Sequence, residues 1–135
     1  MLFAEHGSGV VNGNTVTGSI SSAIHVAGSG HPEISANELR GGEYGLTFLD
    51  GAGGVATGNR IVDHRVGVHL AGTASPRLEG NELDAIQEAA IVYAETSAGE
   101  AAGNLCRTTS ALGIVLAPSA TPTLDSNECE VVRSS

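Results

Sequence analysis

The residues best suited to proton transfer or metal binding are His25, His69 and the run Asp63-His64-Arg65. An imidazole titrates near neutrality, and a neighbouring carboxylate can poise it. Cys106 and Cys129 add sulfur chemistry, although a thiolate nucleophile needs a base beside it. The pairs Gly41-Gly42 and Gly53-Gly54 and the stretch Ala27-Gly28-Ser29-Gly30 could suggest phosphate loops, which require a turn leading into a helix N-terminus. No helical period follows any of them, so they read as turns. What the other groups can do depends on the frame that holds them.

That frame is a repeat. A small residue, then Asn, then any residue, then an apolar one recurs at Asn14, Asn37, Asn59, Asn81, Asn104 and Asn127, a spacing that never varies by more than one position. Three positions before each Asn stand Val11, Ile34, Ala56, Leu78, Ala101 and Leu124; two positions after stand Val16, Leu39, Ile61, Leu83, Cys106 and Cys129. Both columns are expected to point inward. A further apolar pair with a spacing of two precedes each Asn: Met1 and Phe3, Ile24 and Val26, Leu46 and Phe48, Val68 and Leu70, Ile91 and Tyr93, Ile114 and Leu116. That spacing is a strand with one buried face. Turns fall between: Pro32, Pro76 and Pro122 alternate with Gly9, Gly54 and Gly99, and Gly45, Gly67 and Gly113 open the apolar-pair strand.

Units this short, each holding three short strands, cannot bury their faces alone, so they must stack. The expected fold is all-β: a parallel β-helix of about six rungs, three short strands per rung, filling 1–135 as one domain of a larger protein. An inward Asn on every rung needs a partner, and a stack of amides lets each donate to its neighbour. The asparagines are therefore expected to form a structural ladder.

Placed on this frame, the chemistry thins out. His25, Thr47, His69, Val92 and Val115 share one outward column and form the candidate contact surface. Two rungs put His25 and His69 about 9.6 Å apart in backbone, too far to ligate one metal in ordinary rotamers. His64 falls on a turn, where Asp63-His64-Arg65 reads as a surface ion pair rather than a catalytic dyad. Glu38, Arg60 and Glu82, and separately Asp84, Arg107 and Glu130, alternate in sign at rung spacing and read as register marks on solvated faces. Cys106 and Cys129 stack on adjacent rungs: buried free thiols are the expectation, with a disulfide the alternative that a rung spacing of about 4.8 Å allows.

The units Pro32-Glu33-Ile34-Ser35-Ala36-Asn37-Glu38-Leu39 with Gly45-Leu46-Thr47-Phe48, and Pro76-Arg77-Leu78-Glu79-Gly80-Asn81-Glu82-Leu83 with Ala90-Ile91-Val92-Tyr93, resemble the right-handed parallel β-helix proteins of the pectate-lyase-like superfamily. The resemblance covers essentially the whole chain. It implies a right-handed coil whose Gly-opened strand is the first of each turn. It also implies that any enzyme would be a polysaccharide lyase, hydrolase or epimerase with its catalytic groups on that first sheet and its loops. Hydrolases need paired carboxylates, and the outward column has none. Units of nearly constant length leave no long loops to wall a groove.

Six arginines and no lysine against fifteen Asp and Glu give a net charge of −9, so neither nucleic acid nor an anionic membrane is an expected partner. The sequence shows no apolar run long enough to span a bilayer and no signal-peptide pattern. No catalytic residue, metal or cofactor is expected. The expected function is a non-catalytic module presenting flat sheet faces to a protein or carbohydrate, with a carbohydrate-active enzyme and a structural spacer as alternatives. Met1 and Phe3 standing in core columns also raise the expectation of end-to-end self-association.

Overall fold

The small residue before each Asn has a backbone cause. Gly13, Ala36, Gly58, Gly80, Gly103 and Ser126 all lie at φ between 54° and 69°, in the left-handed region. A single such residue turns the chain sharply, and a small side chain costs least there. The computed structural model describes residues 2–3, 9–107 and 112–133. Among them every element is a strand, and every strand pairing is parallel.

The chain winds as a β-solenoid of about five turns. Val10–Asn12, Glu33–Ser35, Val55–Thr57, Arg77–Glu79, Glu100–Ala102 and Thr123–Asp125 stack in sequence into the smaller sheet. The larger sheet runs through Leu2–Phe3, Thr15–Val26, Glu38–Phe48, Arg60–Leu70, Ala89–Tyr93, Leu112–Leu116 and Val131–Arg133, with Glu82–Asp84 and Leu105–Arg107 joined at its side.

Three short strands per rung therefore describes only part of the molecule. In Thr15–Val26, Glu38–Phe48 and Arg60–Leu70 the segment after the Asn continues into the apolar-pair segment without leaving the sheet. The bend between the two halves is made by Gly18, Gly41 and Asp63, at φ 65°, 73° and 59°. From Glu82 onward the two halves separate into distinct strands.

The apolar columns fill the interior. Ile34, Leu39, Leu46, Ile61, Leu78, Leu83 and Ile114 have no exposed surface, and each such side chain contributes roughly 1.5–3 kcal/mol on burial. Met1 lies outside the described residues. Of Phe3 only the backbone is described, and it pairs with Val26 in the expected register.

All six asparagines form the ladder. The first five each donate from Nδ2 to the Oδ1 of the Asn one coil on: Asn14 to Asn37 at 3.1 Å, Asn37 to Asn59 at 3.0 Å, Asn59 to Asn81 at 2.9 Å, Asn81 to Asn104 at 3.0 Å and Asn104 to Asn127 at 2.8 Å. The same Oδ1 accepts the backbone N–H of the Asn before it. From Asn37 onward Nδ2 also caps a carbonyl of the smaller sheet one coil back, as Asn59 does to Ile34 O at 3.0 Å, whereas Asn14 donates to Asn12 O of its own coil at 3.3 Å. The amide is the one small side chain that can accept twice and donate twice in this corner.

The expectation of free thiols is corrected: Cys106 and Cys129 form a disulfide across Cα atoms 5.1 Å apart. The outward charges pair only partly as expected. Arg60 approaches Glu38 at 3.6 Å, but Glu38 also takes Arg40 at 2.7 Å, and Arg107 reaches Glu82 at 3.3 Å rather than Asp84. Exposed pairs of this kind contribute about 0–1 kcal/mol each.

Candidate contact surface on the larger sheet

The outward column is continuous. His25 pairs with Thr47, Thr47 with His69, His69 with Val92 and Val92 with Val115, with Leu2 and Val132 in register at the two ends. Thr47 is only 4% exposed, however, so it forms a floor rather than a projecting contact.

A glycine explains what covers it. A β-carbon at Gly45 would lie 2.6 Å from Ile61 Cγ2 and 2.7 Å from Gly67 O, so Gly45 faces the interior immediately before buried Leu46. Two consecutive inward positions break the alternation and put Tyr44 on the same outer face as Thr47. A second outward column results, in which Ser22 pairs with Tyr44, Tyr44 with Val66, Val66 with Ala89 and Ala89 with Leu112. The two columns interlock: Ser22 Oγ lies 2.6 Å from Thr47 Oγ1, and the Tyr44 and His69 rings are 5.1 Å apart between centroids.

Arg65 fixes one margin of this strip. Its guanidinium lies 5.5 Å from the centre of the Tyr44 ring, donates to Tyr44 Oη at 3.0 Å and to Glu43 Oε1 at 2.9 Å, and pairs with Glu88. On the other margin a left-handed column alternates Gly28, Asp50, Gly72 and Glu95. Gly28 N–H donates to Asp50 Oδ2 at 3.1 Å, and Gly72 N–H to Glu95 Oε1 at 3.0 Å. His69 sits between the margins. Its own burial, and then the Arg65 charge, lower its pKa below the ordinary histidine value, with Glu95 acting in the opposite sense. The strip thus changes character along its length, from Ser22, His25, Thr47, Tyr44 and His69 to Val92, Val115 and Leu112, with Val66 and Ala89 almost fully buried beneath it.

Tyr44, Ser22 and the Glu43–Arg65–Glu88 bridge escaped the sequence reading, because strict alternation counted back from Leu46 puts Tyr44 inside. Gly45, Gly67 and Gly113, recurring at coil spacing, were the available signal. The reading of Asp63-His64-Arg65 as a surface ion pair is corrected. Arg65 pairs with Glu43 and Glu88, Asp63 accepts from Gln87 Nε2 at 3.2 Å, and His64 turns inward with no exposed surface. The cause is the left-handed Asp63, which reverses the facing of the next residue.

His64 has neither ring nitrogen hydrogen-bonded, and its partner one coil back is Gly42. Burial lowers its pKa, and Asp63 only partly opposes this. With its folded pKa below the unfolded value of about 6.5, His64 stays neutral in the fold while the unfolded chain takes up a proton, so stability falls as pH drops below about 6.5. The expected loss rises toward a limit of about 1.4 kcal/mol per pH unit until the folded group titrates. Urea titrations at pH 7.5, 6.5 and 5.5 are expected to show this slope in the native chain and a shallower one in His64→Leu; equal slopes would contradict it. The phenol of Tyr93, equally buried and without a partner, is pushed far up by burial.

Among the described residues, His, Cys, Asp and Glu nowhere gather in threes that could hold a metal, and no helix is long and apolar enough to cross a membrane. Parallel coils, an amide ladder and a sheet face lined by two interlocking columns define a β-solenoid repeat protein. The right-handed β-helix region family matches residues 2–135, and the chain belongs to that family. No curated protein and no solved structure matches it.

Proposed function

We propose that the chain is a non-catalytic β-helix module of the pectate-lyase-like type that binds an extended carbohydrate or protein along the outer face of its larger sheet. The observation that carries this reading is the strip itself: two outward columns interlock across successive strands, with half-buried His69, Val92 and Val115 left facing solvent. A face of this kind, polar at one end and aliphatic at the other, fits a long ligand lying across many coils. The carboxylates Glu43 and Glu88 are bound to Arg65, an arrangement that suits a fixed wall better than an acid and base pair.

An enzymatic reading is favoured by one feature. Burial and the Arg65 charge favour the neutral form of His69 beside the Tyr44 ring, the form that a general base needs. A screen of neutral and acidic polysaccharides, with and without calcium, separates the two when binding is read together with unsaturated and reducing ends. Binding without turnover is the expected result. New ends that disappear in His69→Ala would make the chain a polysaccharide lyase or hydrolase.

A further inference from the structure

The proposed contact strip is bounded on both sides by carboxylates. Glu43 and Glu88 stand on one margin, Asp50 and Glu95 on the other, and the guanidinium of Arg65 is already shared by two carboxylates and the Tyr44 hydroxyl. Glu43 meets Arg65 through Oε1 and Glu88 through Oε2, while Asp50 accepts a backbone N–H through Oδ2 and Glu95 through Oε1. Burial and the Arg65 charge lower the pKa of His69 between the margins, which disfavours its cationic form. A polyanion entering the strip would meet four carboxylates and an Arg65 already shared between two of them, whereas a polycation would find its counter-charges already placed.

The floor narrows the choice further. It offers the half-buried Ser22 hydroxyl and His69 imidazole, then the aliphatic surface of Val92 and Val115, while the Thr47 hydroxyl is buried against Ser22 and the backbone amides of these strands are spent on coil-to-coil ladders. A peptide backbone therefore finds few partners in the strip, but the hydroxyls and C–H faces of sugar rings find both kinds of surface. We infer that the occupant is a cationic amino-sugar polymer carrying free amines, its rings lying along the strip and its ammonium groups reaching the margins. This inference rests on the reading of the larger sheet as the contact surface and names the ligand class for it.

The test uses the full chain at pH 6.5 with four probes: a glucosamine hexamer, its fully N-acetylated counterpart, polygalacturonate and hexalysine. The glucosamine hexamer is expected to bind about tenfold or more tightly than the N-acetylated one, with affinity falling as salt is raised. Glu43→Gln and Glu95→Gln, which keep the Oε1 contacts to Arg65 and to Gly72 N–H, are each expected to weaken the hexamer about threefold or more. Equal binding of the acetylated hexamer, or preference for polygalacturonate, would overturn the cationic ligand while leaving the strip as a carbohydrate surface. Retention of hexalysine alone would overturn it in favour of a basic protein partner. Failure of all four probes would remove both the ligand and the carbohydrate reading of the face beneath it.

Discussion

Replacing Asn59 by Leu is expected to cost about 2–5 kcal/mol, because the amide holds three buried neighbours at once. The side chain accepts from Asn37 N–H and Asn37 Nδ2, both at 3.0 Å, and donates to Ile34 O at 3.0 Å and Asn81 Oδ1 at 2.9 Å. Leucine fills the volume but orphans a backbone N–H, a backbone carbonyl and a neighbouring amide, each in a corner closed to water. A buried group left unsatisfied costs roughly 1–3 kcal/mol, and partial relaxation keeps the total below the sum of three such penalties. For a domain of this size the melting temperature should drop by roughly 8–20 °C. Asn12→Ser supplies the control: the Asn12 side chain is exposed and outside the ladder, only its backbone carbonyl accepting from Asn14 Nδ2, and Ser35 holds the same position one coil on. A shift of less than about 2 °C is expected there. Equal melting temperatures for the native chain and Asn59→Leu would show that the ladder amides do not stabilise the coil.

The second large effect concerns two glycines that look alike in the sequence. Gly54 lies at φ 99°, and a β-carbon there would collide with Pro32 O and sit 2.9 Å from His31 C, both backbone atoms one coil back. Gly58 lies at φ 63° with nothing within 4 Å of such a carbon, and Ala36 already occupies the equivalent position at φ 54°. Gly54→Ala must therefore push two coils apart, at a cost of about 3 kcal/mol or more, whereas Gly58→Ala is expected to cost about 1 kcal/mol. Denaturant midpoints of the two variants check this; a Gly58→Ala variant as unstable as Gly54→Ala would contradict it. The alternation of Pro32, Gly54, Pro76 and Gly99 follows from the same contact, since the Pro32 and Pro76 carbonyls occupy the space that a β-carbon would need at Gly54 and Gly99 on the next coil.

Much of the coil was legible because it depends on spacing alone. Once Asn14 to Asn127 recur at near-constant intervals, the inward columns beside them and the pairing of His25, Thr47, His69, Val92 and Val115 require only counting. What escaped depends on backbone state. Asp63 in the left-handed region turns His64 inward and Arg65 outward, and an aspartate there gives a weaker signal than a glycine. Gly45 faces inward for lack of room, which moves Tyr44 onto the face with His69. For Cys106 and Cys129, coil spacing places the two side chains together whether or not they are bonded, so the disulfide could not be chosen over two thiols by register.

Substituting the two sheets side by side tests most directly whether the larger sheet carries the contact surface. Val92→Arg with Val115→Arg puts bulk and charge into the middle of the strip, while Val55→Arg changes the smaller sheet at a position where the next coil already has Arg77. With circular dichroism and melting curves confirming the fold of each, the affinity of every member of the polysaccharide and oligosaccharide panel would be measured for the three proteins. The native chain should retain at least one member, Val92→Arg/Val115→Arg should weaken it by about tenfold or more, a loss of roughly 1.4 kcal/mol, and Val55→Arg should leave it within about twofold. Equal losses in both variants, or no panel member retained by the native chain, would contradict the assignment of the outer face of the larger sheet as a carbohydrate-binding surface.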